Sequence, residues 1–189
     1  HHFRDGDYVV NLVMETVAAL GIKDITICAS SLGAAHDPVA KLIEEGVVTG
    51  IQSSGVRGKI GEAISGGRLK NPAVIRSHGG RVRAIEEGDV HIDIAFIGAS
   101  TSDEYGNARG VGGKSNCGVL SYSMVDAKYA DHVVVVTDCL VEYPNLPASI
   151  SQVDVDYVVE VEAIGNPDKI VSNVVRMTND VRELKMAEY

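Results

Sequence analysis

The sequence predicts a three-layer α/β domain, doubly wound around a mostly parallel sheet, and three observations carry that expectation. Short apolar runs of strand type alternate with stretches of helical periodicity along most of the chain. The composition is rich in Val, Ile, Ala and Gly, with 45% hydrophobic residues, 5% aromatics and no Trp, which suits strands buried on both faces. Nearly every strand-like run ends in Ser, Gly, Thr or His, small or polar residues of the kind that line ligand crevices at strand carboxyl ends. With 189 residues, one domain with its own core is expected.

Each element has its own signal. From Asp7 to Leu20 the residues Val9, Val13, Val17 and Leu20 share a helical face, and Gly21 stops the helix. The apolar run Asp24 to Ala29 reads as a strand that ends in Ser30-Ser31-Leu32-Gly33. A helix over 37–45 closes at Gly46, and the strand over 47–52 runs into Ser53-Ser54-Gly55. Next come a helix over 58–65, a strand over 73–76 ending in Ser77-His78-Gly79-Gly80, a helix over 81–87 and a strand over 92–98. Beyond a Gly-rich loop the pattern gives a helix over 123–129 and a strand over 132–137. Residues 144–147 read as a loop, 157–163 as a strand, 165–167 as a turn, and the end of the segment 169–189, from Asp180, as a helix. No internal repeat or low-complexity tract interrupts the series.

Charge and motif content narrow the function. A formal net charge of −9 argues against nucleic acid or an anionic membrane as partner, since both demand a basic footprint. Within this acidic chain, residues 57–83 hold Arg57, Lys59, Arg68, Lys70, Arg76, Arg81 and Arg83 against the single acid Glu62, a local anion signal; solvated surface charge is the alternative for any one of them. There is no apolar run of membrane-spanning length, the first residues are neither signal peptide nor anchor, and a cytoplasmic enzyme is expected. The missing initiator Met reads as a sign of a longer parent chain. Cys28, Cys117 and Cys139 form no C-x-x-C pair and read as free or buried thiols. The six His lack metal-ligand spacing, so no metal is expected. Neither a G-x-G-x-x-G nor a Walker-type loop is present, and Gly110 to Ser115 has the wrong spacing for one. Ser30 and Ser54 lack a nucleophile elbow, and His78 stands either as a turn residue or as a site residue beside Gly79 and Gly80.

The most specific segment is Ala99 to Gly110, with Asp103, Gly106 and Asn107 in an Asp-x-x-Gly-Asn pattern. It resembles the loop that follows the corresponding strand in coenzyme A transferases. Together with Ser77 to Val82, Lys114 to Gly118, Val125 to Ala130 and Tyr143 to Ser149, it makes nearly the whole chain similar to the alpha-subunit family of citrate lyase. The resemblance implies a coenzyme A transferase-like fold and a reaction in which citrate displaces acetate from an acetyl thioester, giving citryl thioester. The thioester would be carried on a dephospho-coenzyme A-derived prosthetic group of an acyl carrier subunit, or on coenzyme A. The partners implied are the acyl carrier and lyase subunits and a second domain of a longer chain, of which these residues would be the amino-terminal half. No catalytic nucleophile is assigned. In that reaction Arg57, Arg81 and Arg83 would hold carboxylates, while Gly79, Gly80, Gly106 and Asn107, with His78 and Asp103 beside them, would line the substrate. A sugar-phosphate isomerase or deaminase on a similar fold, and a catalytically silent scaffold domain, are the alternatives.

Overall fold

The computed structural model describes residue 3, residues 6–170 and residues 178–188. In chain order the elements are α1 (Val9–Ala19), β1 (Ile25–Cys28), α2 (Val39–Glu44), β2 (Val48–Ser53), α3 (Gly58–Ser65), β3 (Val74–Ile75), α4 (His78–Glu86) and β4 (Ile94–Ala99). They are followed by β5 (Thr101–Ser102), β6 (Ala108–Arg109), α5 (Tyr122–Tyr129), β7 (His132–Thr137), β8 (Tyr157–Glu160) and α6 (Val181–Ala187). The alternation read from the sequence is therefore present. Its parallel pairs form two three-stranded sheets, ordered β1-β2-β3 and β4-β7-β8, while β5 and β6 make an antiparallel ribbon inside what reads in sequence as a Gly-rich loop.

Register explains the packing. In the second sheet Phe96, Val134 and Tyr157 are aligned partners, and so are Gly98, Val136 and Val159 one step further along. Alternation sends Ala95, Ile97 and Ala99 to the opposite face, where they join Ala84 and Ile85 of α4 and Ala127 of α5 in one buried cluster. Over Gly98 lie Phe3 and Val9, and any Cβ at residue 98 would run into the Phe3 ring. Further down that face Phe96 is 42% and Tyr157 62% exposed, so part of an apolar parallel-sheet face lacks cover among the described residues. The first sheet has a separate cluster built on Leu32, Val39, Ile43, Val48, Ile51, Ile60 and Ala63. Helix α1 touches both, with Val9 in one cluster and Met14 in the other.

Three boundaries differ from the sequence reading for identifiable reasons. Helix α4 starts at His78 rather than near Arg81, because the Ser77 hydroxyl caps it by accepting from the Gly80 N–H at 3.1 Å. Strand β8 stops at Glu160 because the chain then turns to other partners: the Glu162 carbonyl accepts from Lys114 Nζ and the Ile164 N–H donates to Asp138. Strand β3 keeps only two residues. The helix from Asp180 is present, capped by the Asp180 carboxylate, whereas residues 171–177 and 189 of the expected carboxyl-terminal segment lie outside the described residues.

Candidate functional site

The loops that leave β1 and β2 continue side by side past the sheet. Ser54 N donates to Ser30 O at 3.0 Å, Leu32 N to Gly55 O at 2.9 Å, and Arg57 N to Leu32 O at 2.9 Å. These bonds fix Ser30, Ser54 and Arg57 in one wall. The third contribution comes from the end of β3, where α4 begins; with Ser77 bonded to Gly80, the helix presents the exposed residues His78 and Gly79 in its first turn, the end where amides carry partial positive charge. The fourth comes from the start of α5, whose Tyr122 ring stacks on His78 with centroids 5.1 Å apart and planes 24° apart. Ser54 Oγ joins the parts, bonding the Ser30 carbonyl and lying 3.3 Å from His78 Nε2.

This crevice is rich in donors. Ser30 is buried in the wall beneath, and its hydroxyl has no hydrogen-bond partner among the described residues. The Arg57 guanidinium is exposed and enters no ion pair among the described residues. A helix amino terminus, with an exposed arginine on the adjoining wall, can bind a carboxylate and stabilise negative charge that develops on a carbonyl oxygen.

Of the residues singled out from sequence, Arg57, His78, Gly79 and Gly80 fall around this crevice. The other five do not. Arg81 is buried, its Nη2 donating to the Cys28 carbonyl at 3.1 Å and pairing with Asp126 of α5 at 2.9 Å, so it is not open to a substrate. Burial pushes the Asp126 carboxyl up, against the opposing pull of Arg81. Arg83 lies on the exposed side of α4 and pairs with Glu87 one turn onward at 2.8 Å, away from the helix start.

Asp103, Gly106 and Asn107 form a closed polar knot. The Asp103 carboxylate, with 0% exposure, accepts from the N–H groups of Tyr105, Asn107 and Asn145 and from Asn107 Nδ2. Burial raises this carboxyl, but the hydrogen bonds from Asn145, Asn107 and Tyr105 together outweigh it and hold the group below its ordinary range. Asn107 Nδ2 also donates to Gln152 Oε1 at 2.9 Å and its Oδ1 accepts from Gln152 N at 3.2 Å, which occupies the whole side chain. Gly106 has φ +97°, and a Cβ there would lie 2.6 Å from Val155 Cγ1, so glycine serves the turn and the packing rather than the approach of a ligand. In this loop the Asp103 and Asn107 side chains are hydrogen-bonded within the protein.

Tyr122 was not legible as a site residue, because nothing local ties it to a histidine 44 positions earlier; only the tertiary fold stacks them. The cysteines are free, and burial pushes the thiols of Cys28 and Cys117 up, away from nucleophilic character. Among the described residues, His91, Asp93 and Asp131 form a group whose ligand atoms all lie within 4.8 Å of one another. It sits where β4 and β7 begin, at the opposite end of the strands from the crevice.

Known proteins resemble this chain along its whole length. The family model for the citrate lyase alpha subunit matches residues 1–189. The citrate lyase alpha chain of Haemophilus influenzae is 51% identical over 187 residues, which are 99% of this chain and 37% of the relative. A solved citrate lyase alpha subunit from Streptococcus mutans, in complex with citrate, is 58% identical with a TM-score of 0.95, over 100% of this chain and 37% of that one. An acyl-CoA transferase from Escherichia coli O157:H7, solved as a thioester complex with CoA, shares the fold with a TM-score of 0.62 at 14% identity, over 92% of this chain and 47% of that one. The chain spans little more than a third of the length of the curated relatives it matches. Motif, fold and family model agree over the entire chain: it belongs to the citrate lyase alpha-subunit family.

Proposed function

We propose that this chain contributes one wall of an acyl-thioester transferase site, in which the thioester of the acyl carrier subunit, or of coenzyme A, passes from acetyl to citrate. The carrier's dephospho-coenzyme A-derived arm enters as substrate. The observation that carries this reading is the convergence of Ser30, Ser54 and His78 at the amino end of α4, with the backbone of the exposed Arg57 bonded to the same wall, in a crevice at the carboxyl ends of parallel strands. A citrate carboxylate oxygen attacks the acetyl carbonyl, the carbon–sulfur bond breaks and the thiolate leaves. That thiolate then attacks the citryl carbonyl of the mixed anhydride, acetate leaves, and citryl thioester forms with no net proton transfer. Negative charge on the carbonyl oxygen in each step is what N–H and O–H donors stabilise, by about 2.7–4 kcal/mol for one well-placed donor. The reaction needs no enzyme nucleophile.

A second domain in the longer protein would supply the facing wall, and the acyl carrier and lyase subunits would be its partners in the cytoplasm. No helix among the described residues is long and apolar enough to cross a membrane. No feature of the crevice favours the isomerase or scaffold alternatives. The test is to incubate the full-length protein with acetyl carrier, or acetyl-coenzyme A, and citrate: free acetate and citryl thioester are expected in equal amounts. Acetate release that is indifferent to citrate would overturn the proposal.

A further inference from the structure

The hydrogen bonds of Ser54 bear on substrate choice. The Ser30 carbonyl has no hydrogen to give, so its bond with Ser54 Oγ must use the Ser54 hydroxyl hydrogen. Ser54 Oγ can then meet His78 Nε2, 3.3 Å away, only as an acceptor, which places the ring hydrogen on Nε2. The neutral ring is left with Nδ1 as a bare acceptor, and the stack on Tyr122 sets the plane in which that lone pair lies. The start of α4, which lies beside this ring, offers backbone donors instead. Carboxylates are acceptors only and are drawn to those donors; at Nδ1 a carboxylate would set lone pair against lone pair. What fits an acceptor beside the helix start is a substrate hydroxyl.

We propose that His78 is the residue by which this site selects a hydroxycarboxylate over a plain carboxylate, its Nδ1 accepting the hydroxyl hydrogen of the acyl acceptor, with Ser54 and Tyr122 as positioning residues. This rests on the transferase reading above and adds to it the part of the substrate that is recognised. A site that hydrogen-bonds a substrate hydroxyl discriminates against the analogue without it, because the analogue leaves the protein group unpaired.

The experiment uses the full-length protein. Citrate is compared with tricarballylate, which has the same three carboxylates and no hydroxyl, both as acyl acceptors and, by calorimetry without thioester, as ligands. Wild type is expected to favour citrate by about tenfold or more in kcat/KM and in Kd. His78→Phe keeps a ring against Tyr122 without the acceptor and should bring both ratios close to one, whereas His78→Asn, with an amide oxygen near the Nδ1 position, should restore part of them. Ser54→Ala should lower the ratios and Ser54→Thr should keep them. If wild type transfers acetyl to citrate but His78→Phe retains the full preference, the inference is wrong and the transferase reading stands. If no transfer to citrate occurs, the transferase reading fails and the calorimetric ratios still decide, with equal Kd values in wild type refuting the role given to His78.

Discussion

Asp103 shows how a residue that reads as a substrate contact can be a structural one. Its carboxylate is buried among four donors that hold it below its ordinary range, so it adds stability above about pH 4, and that contribution is lost as pH falls through its folded-state value. Asp103→Ala leaves those donors unpaired and is expected to cost about 3 kcal/mol in urea unfolding at pH 7. The same comparison at pH 3 should show a smaller difference, and an equal difference would mean that the carboxylate charge is not what the knot uses. At Arg57 the expectation is the reverse. Its guanidinium is exposed and unpaired among the described residues, so Arg57→Ala should leave the urea midpoint unchanged and raise the KM for citrate by roughly five- to tenfold, the loss of one charge-assisted hydrogen bond. An unchanged KM would reduce Arg57 to surface charge.

Among the elements, α4 decides most. Its start at His78 depends on the Ser77 cap, and its fourth residue, Arg81, reaches under the loops to the Cys28 carbonyl of β1 and the Asp126 carboxylate of α5. That buried guanidinium connects elements of the two sheets, and its Nε and Nη1 have no partner of their own. Arg81→Ala should therefore destabilise by about 3–5 kcal/mol through the stranded Asp126, while the double change Arg81→Met, Asp126→Leu should recover much of the loss. Thermal unfolding of the single and double variants checks this; a single variant as stable as wild type would show that the pair is not needed to hold α4 in place. The periodicity of residues 81–87 was sufficient to place a helix there, but not to show that Arg81 faces inward. Arg57, Arg81 and Arg83 look alike in sequence, and only packing separates a free, a buried and a surface-paired guanidinium.

At the scale of the whole molecule, two clusters of buried side chains share α1, and one sheet leaves Ile94, Phe96, Tyr157 and Val159 exposed on an apolar face. The chain spans 37% of its curated relatives, and the walls of the crevice come from the ends of β1 and β2 and the starts of α4 and α5. The isolated 189 residues are accordingly expected to form citryl thioester at less than about a hundredth of the full-length rate, the cost of losing a positioning wall. Assays of both forms with the same thioester decide it, and equal turnover would place the complete site in this chain. By itself the sequence determined the alternation of strands and helices, the polar strand ends and the family motif, because periodicity, turn residues and short motifs act within a few positions. Tertiary structure alone decided that Asp103 and Asn107 are consumed by Asn145 and Gln152, that Arg81 is buried, and that Tyr122 stacks on His78. Those outcomes depend on which donors and acceptors meet across about 40–50 residues of chain, and local pattern carries no information about such meetings.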